Sequence, residues 1–417
     1  MRIRTAFPLP ALNERQWRVL KLVSFASLVT SYGTAIMVLA LPQIQDGLSI
    51  EDAAVSNVAA TIRLGSLVAV PVVLVADRIG RRPALIFVMV ANVVLTVATG
   101  ASPSMETFVA LQFLARTFHT ATGIVAAVYI AEEFPSDHRG WGFGALAILS
   151  GVGSGLALIM FGMIEELPFG WRMLYFLALA AIALFPLLIR GLPETKRFLS
   201  SETQSNGSYV TAHLSPIVSV ANAYPGRFSA LSVVILVVAI SNVAAGLYGP
   251  TYLQSEHEYS PARLSTILLL TGIVGAASAL YLGSLSDRFG RRRMAILLLI
   301  GSPIAMVGFY EASGVFLPVL LVTFAFVGTG ADVSLAAMGK ELFPTSYRST
   351  VSGFVAMVAA AGGVLGLLAH GRLFDLTGDQ WTAVSALALV GLLAPFILAF
   401  TLPETNRRTL EEISPER

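Results

Sequence analysis

The sequence predicts an all-α integral membrane protein with twelve transmembrane helices in two pseudo-symmetric six-helix bundles. Apolar residues make up 55% of the 417 residues and charged residues only 12%, whereas a soluble protein carries roughly 25% charged residues. Long apolar runs recur along the chain, and three short motifs each return 209 or 210 residues later. A duplicated membrane protein accounts for all of these observations.

Twelve apolar runs approach the roughly 20 residues that a helix needs to cross ~30 Å of hydrocarbon. We number them spans 1 to 12, and they cover residues 20–42, 53–76, 84–101, 105–131, 141–164, 172–190, 229–253, 262–285, 293–311, 317–339, 349–372 and 380–402. Residues 1–190 are predicted to form the N-terminal bundle, and residues 229–417 the C-terminal bundle with a cytoplasmic tail. Residues 191–228 are polar and serine-rich, and we expect a cytoplasmic linker with short amphipathic pieces.

The distribution of charge predicts the orientation of the chain. Most of the 27 lysines and arginines fall in segments that share one side of the membrane, whereas the opposite loops are acidic. Because basic loops stay on the cytoplasmic side, we expect a multi-pass protein of the plasma (inner) membrane with both termini cytoplasmic. All four tryptophans, Trp17, Trp141, Trp171 and Trp381, lie at predicted span ends, where indole rings are enriched.

The three repeated motifs lie beside the basic loops. Asp77-Arg78-Ile79-Gly80-Arg81-Arg82 returns as Asp287-Arg288-Phe289-Gly290-Arg291-Arg292, Glu132 with Arg139 returns as Glu341 with Arg348, and Leu192-Pro193-Glu194-Thr195 returns as Leu402-Pro403-Glu404-Thr405. The glycines permit a tight turn with positive φ. We expect the charges to pair across neighbouring spans and latch the cytoplasmic side shut; arginines gathered by topology alone are the simpler alternative. The predicted cytoplasmic gate comprises Asp77, Arg81, Arg82, Glu132, Arg139, Asp287, Arg291, Arg292, Glu341 and Arg348.

These motifs resemble those of the major facilitator superfamily over essentially the whole chain. The Asp-x-x-Gly-Arg-Arg loops, the Glu and Arg pairs and the two Pro-Glu-Thr segments are similar to the sugar-porter branch and its organic-ion (metabolite–proton symporter) relatives. The resemblance implies a secondary transporter that works by alternating access. It also implies a central cavity lined by spans 1, 2, 4, 5, 7, 8, 10 and 11, but it does not specify a substrate.

The chain departs from its transporter relatives in three spans. Span 7 carries Ser241-Asn242-Val243-Ala244-Ala245-Gly246 in place of the glutamine-rich motif of sugar porters. Span 1 carries Ser31-Tyr32-Gly33-Thr34, without the acidic residue commonly tied to proton coupling. Span 5 has the small residues of drug–proton antiporters but not their proline, and we interpret Gly151, Gly153 and Gly155 as helix-packing positions.

Ionisable residues at bilayer depth are costly and are therefore candidates for function. Arg63 lies near the middle of span 2, Arg116 lies near the middle of span 4, and His119 follows on the same face of that helix. Asp332 is the one carboxylate well inside a span of the second half. We predict that the two arginines attract an organic anion, and that Asp332 and His119 are candidates to carry a coupling proton.

Tyr32 and Asn242 are predicted to contact the substrate as polar residues of the cavity wall. Several alternatives remain open at this point. A buried Arg–Asp pair can lock helices together, Arg63 can snorkel or serve an external gate, and His119 can simply hydrogen-bond a neighbouring span.

The predicted function is secondary active transport of a small organic solute, preferably an organic anion or metabolite, coupled to protons. The alternatives are efflux of amphipathic compounds, sugar transport, and a transport-dead sensor on the same scaffold. The chain has no cysteine, no Gly-x4-Gly-Lys-Ser/Thr loop and no Gly-x-Ser-x-Gly elbow. We therefore expect neither an enzyme nor an ATP-driven pump, and no metal or other cofactor. We expect a monomer in the lipid bilayer that binds no nucleic acid.

Overall fold

The computed structural model describes residues 10–135, 137–201, 217–344 and 347–406. Within this part of the chain, twelve helices are long and apolar enough to cross a membrane, which confirms the predicted fold class. Spans 1 to 12 are Glu14–Leu39, Asp52–Ile79, Arg81–Gly100, Met105–Glu133, Arg139–Gly162, Trp171–Gly191, Pro225–Ser255, Pro261–Phe289, Arg291–Glu311, Phe316–Glu341, Arg348–Thr377 and Gln380–Thr401. Shorter helices cover Leu41–Leu48 and Lys196–Ser201.

Polar side chains cap the starts of several spans. Asn13 and Gln16 form a capping box before span 1, in which Asn13 Oδ1 accepts the Gln16 backbone N–H at 2.9 Å and Gln16 Oε1 accepts the Asn13 N–H at 3.0 Å. The side chains of Ser104, Ser260 and Asp379 each accept a backbone N–H from the first turn of spans 4, 8 and 12. These caps satisfy amides that have no partner inside the helix, and they fix where the spans begin.

Spans 6 and 12 are not the uninterrupted helices that their apolar runs predict. Span 6 contains a 3₁₀ segment at Leu177–Leu184, and span 12 is interrupted at Gly391. A proline follows closely in each case, Pro186 in span 6 and Pro395 in span 12. Proline has no N–H, and its ring clashes with the carbonyl four residues earlier. In span 6 that carbonyl belongs to Ile182, inside the 3₁₀ segment, and in span 12 it belongs to Gly391 itself.

The chain divides into two compact units. The first unit comprises Met1–Ala40 and Val68–Asn206, and the second comprises Leu41–Leu67 and Gly207–Arg417. The beginning of span 2 therefore packs with the second half of the chain, and the division follows Leu67, four residues before Pro71 in the same helix. The predicted linker boundaries stay a prediction, because residues 202–216 lie outside the described part.

Each unit contains an apolar core of its own. In the first unit, fully buried core residues include Val19, Leu85, Tyr129 and Leu188. In the second unit, they include Val234, Ala295, Met338 and Leu398. Large apolar side chains such as Ile148, Leu187 and Phe400 lie exposed on the helix surfaces. Such surface is suited to contact with hydrocarbon rather than with water.

Span 5 packs against span 1 through Gly153. A Cβ atom at this position would overlap the Leu28 carbonyl oxygen and would lie 2.9 Å from the carbonyl carbon. Only glycine permits two helix backbones to approach so closely. At Gly151 a Cβ atom would have no neighbour within 4 Å. The packing interpretation is therefore confirmed for Gly153 and does not extend to Gly151.

Candidate functional site

The repeated motifs of the first half meet at the Arg-rich ends of spans 3, 4 and 6, in a group that we call the first motif cluster (Arg81, Glu132, Glu194 and Thr195). Arg81 donates from Nη2 to Glu132 Oε1 at 3.1 Å. Thr195 donates its hydroxyl to the other Glu132 oxygen at 2.6 Å. The Glu132 side chain is only 8% exposed. Both donors are therefore needed to satisfy a carboxylate that has little access to water.

Glu194 caps span 3 from outside that helix. Its carboxylate accepts the backbone N–H of Arg81 at 3.0 Å and that of Arg82 at 3.1 Å. These amides begin the helix, where the helix dipole favours a negative charge. Gly80 has a φ of +100°, and a Cβ atom there would lie 2.5 Å from Glu194 Oε2. The turn and the approach of the carboxylate both require glycine at this position.

The second motif cluster (Arg291, Glu341, Glu404 and Thr405) repeats this arrangement in the second half. Arg291 Nε lies 2.8 Å from Glu341 Oε2, and Thr405 donates its hydroxyl to the same oxygen at 2.6 Å. Glu404 accepts the backbone N–H of Arg292 at 3.2 Å, at the start of span 9. The three motifs that recur in the sequence thus build the same network twice.

The second arginine of each loop ties its helix to a neighbouring span. Arg82 of span 3 donates from Nη2 to the Ile189 carbonyl of span 6 at 2.8 Å. Arg292 of span 9 donates to the Ala399 carbonyl of span 12. Both carbonyls lie in the last turns of their spans, where no backbone N–H of the same helix is available to bond to them. These arginines therefore serve as anchors between helices within each unit.

Among the remaining predicted gate residues, Asp287 pairs with an arginine of the neighbouring span as expected, whereas Arg139 and Arg348 do not pair with the glutamates of their motifs. Arg139 donates from Nε to the Phe134 carbonyl at 3.1 Å, not to the glutamate seven residues before it. Arg348 Nε is buried and has no hydrogen-bond partner among the described residues. Asp287 pairs at 3.0 Å with the arginine four residues on. The side chain of Asp77 lies outside the described part of the structure.

Tyr32 does not present its hydroxyl to a cavity, in contrast to the prediction. Its side chain is only 9% exposed, and its hydroxyl donates to the Leu174 carbonyl of span 6 at 2.8 Å. Leu174 lies just before the 3₁₀ segment of span 6, where the regular α-helical bonding changes. A buried tyrosine hydroxyl needs such an acceptor. We therefore assign Tyr32 to the contact between spans 1 and 6 and withdraw it from the substrate contacts.

Arg116 and His119 lie together in span 4, as their spacing predicts. The two side chains interact electrostatically, and His119 also contacts the Thr30 backbone of span 1. His119 Nδ1 is buried and has no hydrogen-bond partner among the described residues. The pair places a positive charge beside a buried ring nitrogen that no described residue hydrogen-bonds.

Arg63 of span 2 is half-buried and has no hydrogen-bond or ion-pair partner among the described residues. Its Nε is inaccessible and makes no hydrogen bond there. Its guanidinium lies against Gly363 of span 11, where a Cβ atom would be 2.8 Å from Arg63 Cζ. An arginine without an anionic partner at this depth is costly. Its guanidinium is therefore the strongest candidate for binding an anionic ligand.

The polar groups of Asp332 and Asn242 also have no hydrogen-bond or ion-pair partner among the described residues. The Asp332 side chain is exposed, although Ala331 and Ser334 beside it are buried. Among the described residues, no ion pair or hydrogen bond involves the Asp332 carboxylate or the Asn242 amide. The Arg–Asp lock considered as an alternative is therefore absent between Asp332 and Arg63, within the part of the chain that is described. The Asn242 side chain is half-buried in span 7.

The predicted substrate and proton residues are divided between the two units. Arg116 and His119 belong to the first unit, whereas Arg63, Asn242 and Asp332 belong to the second. Of these five, Arg116 and His119 interact with each other within the first unit. Among the described residues, no group of three or more His, Asp or Glu side chains is placed to hold a metal ion.

A hydrogen-bonded group that we call the polar trio (Ser56, Tyr248 and His370) was not predicted. Ser56 Oγ lies 2.7 Å from Tyr248 Oη and 2.7 Å from His370 Nδ1. All three residues are at most 2% exposed, and the two rings pack with centroids 4.7 Å apart. The trio joins span 2 to spans 7 and 11 at the ends away from the Arg-rich loops. Its one signal in the sequence is a histidine inside the apolar run of span 11.

Comparisons with known proteins agree with the fold. Residues 23–281 and 231–416 match a family model described as Major Facilitator Superfamily. A probable 4-methylmuconolactone transporter of Cupriavidus pinatubonensis is 26% identical over 82% of this chain and 79% of its own length. A cis,cis-muconate transport protein of Acinetobacter baylyi is 25% identical over 71% of this chain and 73% of its own length. The inward-open structure of the xylose transporter XylE from E. coli has a TM-score of 0.75 and 15% identity, and it covers 95% of this chain and 99% of its own.

Proposed function

This chain belongs to the major facilitator superfamily and is a transmembrane transporter, and on that premise we propose that it carries a small organic anion by alternating access with coupled protons. The observation that carries the substrate class is Arg63, a half-buried arginine whose guanidinium has no hydrogen-bond or ion-pair partner among the described residues. An arginine presents a planar set of donors that matches a carboxylate. A substrate carboxylate would supply the counter-charge that the described protein does not.

Arg116 is the second proposed contact for the anion. It lies in span 4 beside His119, whose Nδ1 has no hydrogen-bond partner in the described residues. Asn242 of span 7, which belongs to the same unit as Arg63, would contribute an uncharged contact. Two relatives whose names concern muconate and a muconolactone support this class of substrate.

Asp332 is the group that we propose for proton coupling. It is an exposed carboxylate inside span 10, and no described residue holds it in an ion pair. A carboxylate free of a fixed partner can take up and release a proton as its surroundings change between states. His119 is the alternative proton carrier, because its Nδ1 has no hydrogen-bond partner among the described residues.

The two motif clusters are proposed to serve as latches of the transport cycle. Each joins the start of one span to the ends of two others through charge-assisted hydrogen bonds. Such bonds are directional, so a small displacement of one helix breaks several of them together. We place these clusters on the cytoplasmic side of the plasma membrane, with both termini cytoplasmic and the protein a monomer.

Uptake by purified protein in proteoliposomes tests the substrate class. The probes are cis,cis-muconate, D-xylose and a lipophilic cation, each offered with and without an inward proton gradient. We expect muconate uptake that the gradient stimulates and that Arg63→Ala reduces to weak uptake seen only at high muconate concentration. Arg293→Ala is the matched control, because this exposed arginine lies at the start of span 9, and its uptake should equal that of the wild type. Uptake of xylose or the cation, with no uptake of the acid, would refute an anionic substrate.

A separate measurement tests Asp332. In the Asp332→Asn variant, muconate exchange across the membrane should persist, whereas accumulation driven by a proton gradient should be lost. This split separates coupling from binding, because the amide keeps the shape of the carboxyl group but cannot carry the proton. Gradient-driven accumulation by the variant would exclude Asp332 as the coupling group.

The cysteine-free sequence permits a direct test of orientation. A single cysteine introduced in the linker, within residues 202–216, should react with an impermeant maleimide only after intact cells are opened. Labelling of intact cells would place the linker outside and overturn the proposed topology. The mass of the detergent-solubilised protein, measured by light scattering, tests whether it is a monomer.

A further inference from the structure

Gly363 of span 11 lies directly against the side chain of Arg63. An ideal Cβ atom built on it would overlap Arg63 Nε and would lie 2.8 Å from Cζ and 3.0 Å from Cδ. The guanidinium of span 2 therefore uses the space that any other residue at 363 would fill with its first side-chain atom. The close contact is with a functional side chain and not with another helix backbone.

The neighbouring glycines of span 11 have a different role. A Cβ atom at Gly362 would lie 2.7 Å from Ala239 Cβ, and one at Gly366 would lie 2.5 Å from the Ile240 carbonyl oxygen. These contacts belong to the packing of span 11 on span 7, so a larger residue there would push the helices apart. Gly363 meets only the far end of a long flexible side chain. Alanine at 363 can be accommodated by moving that side chain, with little cost to the fold.

We propose that Gly363 is a positioning residue of the anion site, because it lets the Arg63 guanidinium lie across span 11 at the place where it meets the substrate. This inference rests on the proposed function. Ordinary carbon–carbon contacts begin at about 3.5 Å, so alanine at 363 forces the guanidinium to retreat by about 1 Å. A displacement of that size weakens a directional, charge-assisted hydrogen bond. The positive charge stays, but its donors no longer point to the carboxylate.

Steady-state uptake of cis,cis-muconate into proteoliposomes tests this role. We expect Gly363→Ala to raise KM about tenfold, the equivalent of one charge-assisted hydrogen bond, with little change in the maximal rate. Gly353→Ala is the matched control on the same helix, because a Cβ atom at Gly353 would meet nothing within 4 Å. Its KM should equal that of the wild type. The unfolding temperature of both variants should stay close to that of the wild type.

A double-variant comparison separates a positioning role from a packing role. In an Arg63→Ala background, which retains only weak uptake at high muconate, adding Gly363→Ala should have no further effect, because no guanidinium remains to be displaced. If the two changes multiply instead, Gly363 acts through the helix and the inference is wrong. A lower maximal rate and unfolding temperature without a change in KM would refute it in the same way.

The outcomes also distinguish this inference from the proposed function. If wild-type protein takes up muconate and Arg63→Ala retains only weak uptake, while Gly363→Ala behaves as the wild type, the role of Gly363 fails and the anion site stands. If uptake of muconate by the wild type does not depend on Arg63, the proposed anion site itself fails, and the role of Gly363 fails with it.

Discussion

Removing the Ser56 hydroxyl should destabilise the protein through the polar trio. Ser56→Ala breaks two hydrogen bonds of 2.7 Å at once and leaves Tyr248 and His370 at sites no more than 1% exposed. Side-chain hydrogen bonds inside membrane proteins contribute on the order of 0.6 kcal/mol on average and up to ~1.7 kcal/mol. With two bonds lost and buried groups left unsatisfied, we expect the free energy of unfolding to fall by about 1–3 kcal/mol.

Unfolding by sodium dodecyl sulfate in mixed micelles, followed by tryptophan fluorescence, measures this loss. The control is Ser284→Ala on span 8, because that exposed hydroxyl donates only to the Leu280 carbonyl of its own helix. Its cost should stay below ~0.5 kcal/mol. Tyr248→Phe completes a double-mutant cycle with Ser56→Ala, and the two changes should together cost less than the sum of their separate costs. Costs that simply add, or a Ser56→Ala cost equal to the control, would refute the reasoning.

Three further predictions concern single contacts. Glu194→Ala should speed hydrogen–deuterium exchange of the Arg81 amide, because its acceptor at 3.0 Å is removed; unchanged exchange would contradict the cap from outside the helix. Gly153→Ala should lower the unfolding free energy by ~1–3 kcal/mol, the usual cost of overpacking, whereas the same change at Gly151 should be neutral. Equal effects at the two positions would contradict the packing role of Gly153. The Thr382 hydroxyl and, after it, the Thr382 backbone N–H hold the pKa of the Asp379 carboxyl below its usual value. The ~1 kcal/mol that this cap contributes should be present above the unfolded-state pKa and lost as the pH falls through the lower folded-state pKa. An Asp379→Ala variant whose unfolding free energy falls with pH as steeply as that of the wild type would disprove this.

Much of the fold follows from local properties of the sequence. Apolar runs and cap residues each act within a few turns of one helix, so the twelve spans could be predicted with ends that differ by a few residues. The irregular centres of spans 6 and 12 were also within reach, because Pro186 and Pro395 each remove a hydrogen bond. The twofold repetition of the motifs was visible because it is a property of the sequence itself.

The candidate site was harder to predict because its contacts join distant residues. The hydroxyl of Tyr32 finds its acceptor 142 residues away, and Ser56 meets His370 across 314 residues. No local pattern distinguishes a tyrosine that faces a cavity from one that bonds to a neighbouring helix. Glu194 is the exception, since the repeated Pro-Glu-Thr segment marked it, but only the structure shows that it caps another helix.

Pro71 creates a position in span 2 at which the helix can bend. A proline cannot donate to the carbonyl four residues before it, and here that carbonyl belongs to Leu67, the last residue of span 2 that groups with the second unit. The helix therefore lacks one backbone hydrogen bond at the position where its packing partners change. A helix bends most easily where a backbone hydrogen bond is missing. We therefore expect the two ends of span 2 to move with different neighbouring helices during a transport cycle, without unwinding of the helix between them.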